Sequence, residues 1–255
     1  MINRSELEDI ASLKKLTLEN CEKDYFQELL LFNLSRLTGS ELVFKGGTCL
    51  YKLYKLNRFS EDLDFTITKK IDVDKLMDSV LRSIRLSGID VHIREMDRFQ
   101  NQINIRLAFR GPLYKGSKES MLIILLNLSS RGKTLLPAKK MLVVPRYSDL
   151  PSFEVFVMDE QEIVVEKIDA ILNRNKPRDV YDLWFLLYHR DLSADMGMLG
   201  KKIRKPFNKS DFMKKVEEKR LNWERELRRF IIGSIPPFDQ VKKVIEDSLI
   251  QNPRI

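Results

Sequence analysis

Between Glu41 and Ile67 the chain carries a short apolar run that stops on two glycines, a helical stretch, and then a strand bearing two acids. Glu41–Lys45 reads as a strand, and Leu50, Leu53, Tyr54 and Leu56 recur at helical spacing after Gly46-Gly47-Thr48. The glycine pair lets backbone N–H groups come close to an anion, and the following helix start adds a favourable dipole. Asp62-Leu63-Asp64-Phe65 opens the next strand. Alternation puts Asp62 and Asp64 on one face and Leu63 and Phe65 toward the core. Two adjacent carboxylates repel unless a cation sits between them. A phosphate cradle followed by a carboxylate pair describes a site for Mg²⁺, or Mn²⁺, and a nucleoside triphosphate. Taken singly, Gly-Gly is a turn and Asp-x-Asp an exposed strand face. Their order and spacing join them into one site, and the G-x-x-x-x-G-K-[ST] phosphate loop is absent.

Lys45-Gly46-Gly47-Thr48, Leu50, Lys52 and Tyr54, followed by Arg58-Phe59-Ser60, Asp62-Leu63-Asp64 and Phe65, resemble the AbiEii/AbiGii family of nucleotidyltransferase toxins. A second block, Glu166-Lys167-Ile168 through Arg174 and then Lys176-Pro177-Arg178-Asp179 to Asp182-Leu183-Trp184, is similar to the same family. The resemblance spans roughly residues 20 to 190. It implies an α+β protein with a polymerase-β-like nucleotidyltransferase core, a mixed twisted sheet and a helical C-terminal region. It further implies transfer of NMP from an NTP to a hydroxyl, on RNA or tRNA in some members. The protein would be the toxin of a type IV pair, with a winged-helix antitoxin as partner.

On that basis Asp62 and Asp64 are metal ligands and catalytic, and Gly46, Gly47 and Thr48 bind the triphosphate, with Lys52, Ser60 and Arg178 as further nucleotide-binding candidates. Lys167 becomes a triphosphate-binding cation and Asp179 a base or an organiser of the acceptor. Read from the residues alone, Asp179 suits a helix start and Arg178–Asp182 an i,i+4 pair. Enzymes of the polymerase-β type place a third carboxylate on a central strand, where this chain has Asn127. An amide can ligate a hard cation but brings no charge and cannot act as a base. Asn127 therefore leaves open one metal or two, and a nucleotide- or RNA-binding protein without turnover.

The chain's 255 residues, 43% hydrophobic and 32% charged, suffice for a sizeable core. No apolar run approaches twenty residues and no signal-peptide core precedes the first helix, so a cytoplasmic protein is expected. Cys21 and Cys49 form no C-x-x-C, and with His92 and His189 they make no zinc-ligand pattern. Residues 201–229 hold twelve Lys and Arg against five Asp and Glu, a net +7 of the total +8. That asymmetry suggests an RNA acceptor held by Lys201, Lys202, Arg204 and Lys205 beside Pro206, or else a solvated charged face.

Helical periodicity covers residues 5–38, Asp72–Leu86, Asp159 to about Asn173, Pro177–His189, Lys209–Ile232 as one long helix, and Phe238–Ile250. Strands are expected at Asp90–Met96, Gln102–Phe109, Met121–Leu128 and Ser152–Met158, with a short one near Val144. A nucleotidyltransferase domain over 1–158 and a helical domain over 159–255 follow.

Overall fold

The computed structural model describes residues 1–203 and 206–249. Two compact units are delimited. The first comprises Met1–Lys55, Phe59–Thr134 and Ala138–Val157, and the second Leu56–Arg58, Leu135–Pro137 and the chain from Met158 onward.

The first unit holds helices α1 (Arg4–Lys14), α2 (Leu18–Leu37), α3 (Gly46–Leu53) and α4 (Val73–Leu86). Its strands are β1 (Leu42–Lys45), β2 (Leu63–Ile67), β3 (Val91–Phe99), β4 (Gln102–Phe109), β5 (Leu122–Ser129), β6 (Lys139–Val143) and β7 (Phe153–Val157). They form one seven-stranded sheet in the order β3-β4-β5-β2-β1-β7-β6. β2 runs parallel to β5 and β1 parallel to β7, while β1–β2, β3–β4, β4–β5 and β6–β7 are antiparallel.

Alternation in β2, β4 and β5 gives the sheet two unlike faces. Leu63, Phe65, Ile105, Leu107, Leu126 and Leu128 are buried with Tyr25, Phe26, Leu29 and Leu30 of α2 and Met77, Val80 and Ile84 of α4. Burying each such side chain contributes about 1.5–3 kcal/mol. The opposite face carries Asp64, Asn127, Asn104 and Asp97 side by side. That polar row positions the site.

The expected single helix over 5–38 is two. Lys15 adopts a left-handed backbone, φ 54°, and closes α1, while the Thr17 hydroxyl caps α2 at Asn20 N. A residue that is not glycine ends a helix in that conformation because continuation would clash at Cβ.

The second unit is helical: α5 (Glu160–Asn173), α6 (Pro177–His189), α7 (Met196–Lys202), α8 (Lys209–Glu217), α9 (Trp223–Leu227) and α10 (Phe238–Ser248). α5 and α6 have the bounds that Asp159, Pro177 and the apolar spacing suggest. Tyr181, Trp184 and Phe185 are core, whereas Tyr188 is exposed and stacks on Trp184. The expected long helix over 209–232 breaks after Glu217. Lys219 there buries its ammonium against the carbonyl of Ile171, and Arg220–Asn222 form a 3₁₀ turn before α9. α7 was not foreseen, since its two glycines disguise a helix capped by Asp195. Ile250, the expected end of the last helix, lies outside the described residues.

Candidate active site

In the first unit, α3 begins at Gly46, directly after Lys45 of β1. Gly46 has φ +76°, a backbone that favours glycine, and a Cβ there would lie 2.6 Å from Asp64 Oδ2 and 3.1 Å from Asp64 Cβ. The chain therefore packs backbone against carboxylate at a helix start, where N–H groups of the first turn lack helical partners. Asp64 is held from its other side too. Asn127 Nδ2 donates to Asp64 Oδ1 at 2.9 Å, because β2 and β5 pair in parallel with Asp64 opposite Asn127.

The segment leading into β2 is clamped at successive residues. Gln27 donates to the Ser60 carbonyl at 2.8 Å, Lys23 pairs with Glu61 at 2.8 Å, and the Thr48 hydroxyl donates to the Asp62 carbonyl at 2.5 Å. Thr48 is fully buried, so its side chain organises the turn. Asp62 and Asp64 remain half-buried. Asp64 lies on the polar face of β2 with Leu63 and Phe65 in the core, whereas Asp62 precedes the strand, which starts at Leu63.

Lys52, a nucleotide-binding candidate, is placed elsewhere. Its side chain is 3% exposed and its ammonium meets Asp24 Oδ1 at 2.7 Å and Glu28 Oε1 at 3.2 Å. Lys14 Nζ and the Tyr147 hydroxyl donate to Asp24 Oδ2 at 2.5 and 2.6 Å. Burial alone would push the Asp24 carboxyl up, but Lys52 and Lys14 outweigh it and hold the group well below the carboxylate range. This cluster ties α1, α2 and α3 together and so fixes the helix that carries Gly46. Sequence reasoning missed Asp24, and its only signal was that Asp24 and Glu28 lie four apart on one helix.

The second unit contains a buried ion cluster. Arg58 forks onto Asp182 with Nε–Oδ1 at 2.9 Å and Nη2–Oδ2 at 2.8 Å. Lys167 Nζ lies 2.7 Å from Asp182 Oδ2 and 3.0 Å from Asp179 Oδ1, and Arg174 closes the cluster on Asp179 at 2.6 Å. Arg58, Lys167, Asp179 and Asp182 are all buried. Burial would push Lys167 down and both acids up. The opposite charges win: Lys167 is raised, and Asp179 and Asp182 are held well below the carboxylate range. A carboxylate so firmly ionised is a poor proton acceptor near neutrality. Asp179 holds Lys167 and Arg174 in this cluster, and Lys167 directs its ammonium at protein carboxylates. Asp182 faces Arg58 and Lys167 instead of Arg178, whose guanidinium lies 5.9 Å from the Phe230 ring centroid.

The sequence pattern described as "Nucleotidyl transferase AbiEii toxin, Type IV TA system" matches residues 29–244. The chain belongs to this AbiEii family. AbiEii membership makes it a nucleotidyltransferase, with an NTP substrate and an antitoxin partner implied by the type IV system. No curated protein matches the chain. Among solved structures, MenT4, a nucleotidyltransferase toxin from Mycobacterium tuberculosis, is similar at 18% identity, covering 100% of this chain and 91% of that one, with TM-score 0.69. JHP933 from Helicobacter pylori is similar at 20% identity over 91% of each chain, TM-score 0.58. These likenesses concern the fold, which is the polymerase-β-like one.

Against the AbiEii fold, the basic segment is largely spent within the chain. Lys202 pairs with Glu162 at 2.8 Å and Glu166 at 3.1 Å, Lys214 with Asp211, Lys215 with Glu218, and Arg228 with Glu224. Arg220 pairs with Glu217 and Asp239, and Lys219 is buried. Lys201 is exposed, and Arg204 and Lys205 lie outside the described residues. Lys214, Lys215 and Arg228 pair with acids of the segment itself, whereas Lys202 and Arg220 also meet Glu162, Glu166 and Asp239, which a local charge count does not include.

Among the described residues no three His, Cys, Asp or Glu side chains group to hold a metal. Asp62 and Asp64, both half-buried, are hard oxygen donors of the kind one divalent cation uses when waters and substrate phosphates complete its shell. Among the described residues no helix is long and apolar enough to cross a membrane. Gly46→Ala is expected to cut transfer by at least about a hundredfold, because a 1 Å misplacement at a reacting centre can cost that much. Steady-state rates beside an unchanged circular dichroism spectrum would check it, and near-normal turnover would contradict the close packing on Asp64.

Proposed function

We propose that this AbiEii-family chain is a metal-dependent enzyme that transfers NMP from an NTP to a hydroxyl of RNA, tRNA included. The carrying observation is Asp64, held between the Gly46 backbone and the Asn127 amide at the start of α3. The α3 start at Gly46, the half-buried member of the Gly46-Gly47-Thr48 turn, would take triphosphate oxygens, and Asp62 and Asp64 would hold Mg²⁺ or Mn²⁺. When bound there, such a cation would neutralise charge on the transferring phosphoryl group. The acceptor oxygen forms a bond to the α-phosphorus, the bond from that phosphorus to the β-bridging oxygen breaks, and its electron pair leaves with pyrophosphate. The hydroxyl proton passes to solvent. The net charge of +8, which belongs to the whole chain and is not removed by pairing within it, favours a polyanionic acceptor. A winged-helix antitoxin is the partner we propose.

Incubating the full chain with each labelled NTP, Mg²⁺ and unfractionated tRNA, with and without EDTA, tests this reading. Label is expected on RNA, lost with EDTA and restored by Mg²⁺ or Mn²⁺. Transfer that persists in EDTA would remove the cation.

Asn127 acts as a positioning residue for Asp64. Removing such a partner weakens a metal site by about 10- to 100-fold. Asn127→Ala is therefore expected to bind Mn²⁺ that much more weakly in the absence of NTP. Asn127→Asp, of the same shape, is expected to bind it more tightly, since the cation then relieves the repulsion of three acids. Calorimetric titration with Mn²⁺ measures both. An Asn127→Asp protein that melts lower and gains no affinity would take Asn127 out of the site.

A further inference from the structure

The polar row does not stop at Asn127. Strand register continues it from Lys45 through Asp64 and Asn127 to Asn104 and Asp97. The adjacent row on the same face runs Thr66, Ser129, Gln102 and Phe99. Gln102 Nε2 donates to Asn104 Oδ1 at 2.7 Å, so the two amides form one fixed unit. Beside them the Phe99 ring is 59% exposed on the same face, although it is a large apolar side chain. Arg106 bridges Glu95 at 2.6 Å and Asp97 at 3.2 Å along the far border, which balances the acids there.

We infer that Gln102, Asn104 and Phe99 form the acceptor platform, where the terminal nucleobase of the RNA stacks on Phe99 and meets the two amides. The inference rests on the proposed transfer to RNA. Direction carries it. In-line displacement puts the attacking hydroxyl opposite the leaving pyrophosphate. The phosphate cradle lies at the β1–α3 end of the row and Asp64 on β2, so the hydroxyl enters over β5 and β4. Strands lie about 4.8 Å apart, which puts Asn104 about 10 Å from Asp64, a sugar and base away from the reacting phosphorus. Chemistry agrees with direction. An amide offers both donor and acceptor to a base edge, and single-stranded RNA is read by such edges together with aromatic stacking. A phosphate-binding surface would present unpaired cations here. This one presents neutral amides and a ring.

Steady-state labelling of unfractionated tRNA by the full chain tests the platform. The Gln102→Ala/Asn104→Ala protein and the Phe99→Ala protein are each expected to raise KM for tRNA about tenfold or more, with KM for NTP within twofold of wild type. Asn104→Asp, which keeps the shape and removes the donors, is expected to do the same. Wild-type KM for tRNA in all three proteins, while Asp64→Ala is inactive, would overturn the platform and leave the transfer reading intact. Activity retained by Asp64→Ala would instead overturn the site itself. A wild-type protein that neither labels nor binds tRNA would remove the acceptor and the platform together.

Discussion

Asp64→Ala is expected to lower NMP transfer by at least about a thousandfold, with the protein still folded. A cation at a phosphoryl-transfer site supplies several kcal/mol of charge stabilisation, and each 1.36 kcal/mol is about a tenfold change in rate. Removing one of two carboxylates leaves Asp62 alone to hold that cation. Stability should change little. Asp64 is half-buried on the polar face of β2, while the core on the other face keeps Leu63 and Phe65. The loss is one hydrogen bond, from Asn127, of about 1 kcal/mol. Rates from single-turnover labelling and a thermal midpoint measured in parallel decide the matter. A variant that keeps more than a tenth of wild-type transfer would mean that the cation is held elsewhere.

The largest effect on stability is expected from Asp182→Ala, a loss of about 3–5 kcal/mol. Arg58 and Lys167 would both lose a buried partner, and Arg58 is 1% exposed. An uncompensated buried cation costs more than an ion pair contributes, so replacing both members should hurt less. Arg58→Met/Asp182→Leu is accordingly expected to be more stable than Asp182→Ala in urea unfolding. If the double variant were the weaker of the two, the cluster would contribute more than compensation of charge.

The same cluster sets a pH dependence. The folded-state titrations of Asp179 and Asp182 are lowered, so their contribution is complete above the unfolded value of about 3.9 and is lost as pH falls. The Lys167 titration is raised, so its contribution is complete below about 10.4 and is lost as pH climbs through the folded value. Urea midpoints are expected to be flat from about pH 5 to 9 and to fall on the acid side, less steeply in Asp182→Ala. Equal acid slopes in the two proteins would assign the acid loss to other carboxylates, Asp24 first among them.

What the sequence determined by itself was local. An apolar run stopped by Gly46-Gly47 gave β1 and the start of α3, and alternation put Asp64 on the polar face of β2, although the strand starts only after Asp62. Pro177 and Asp159 set the starts of α6 and α5, because each acts on the backbone of its own turn. Resemblance to the AbiEii family added Asn127 as a position of interest, without saying what it touches. Tertiary structure decided the partners. Asn127 reaches Asp64 only because β5 pairs in parallel with β2, and Asn104 joins their row only through β4. Lys52, Lys167 and Lys202 each read locally as cations for a ligand, yet each is neutralised by acids at least 12 residues away. Periodicity reports which face of its own element a side chain takes. A charge in a low-dielectric interior is governed by whatever opposite charge the fold brings within about 4 Å, and that separation is not written in the local sequence.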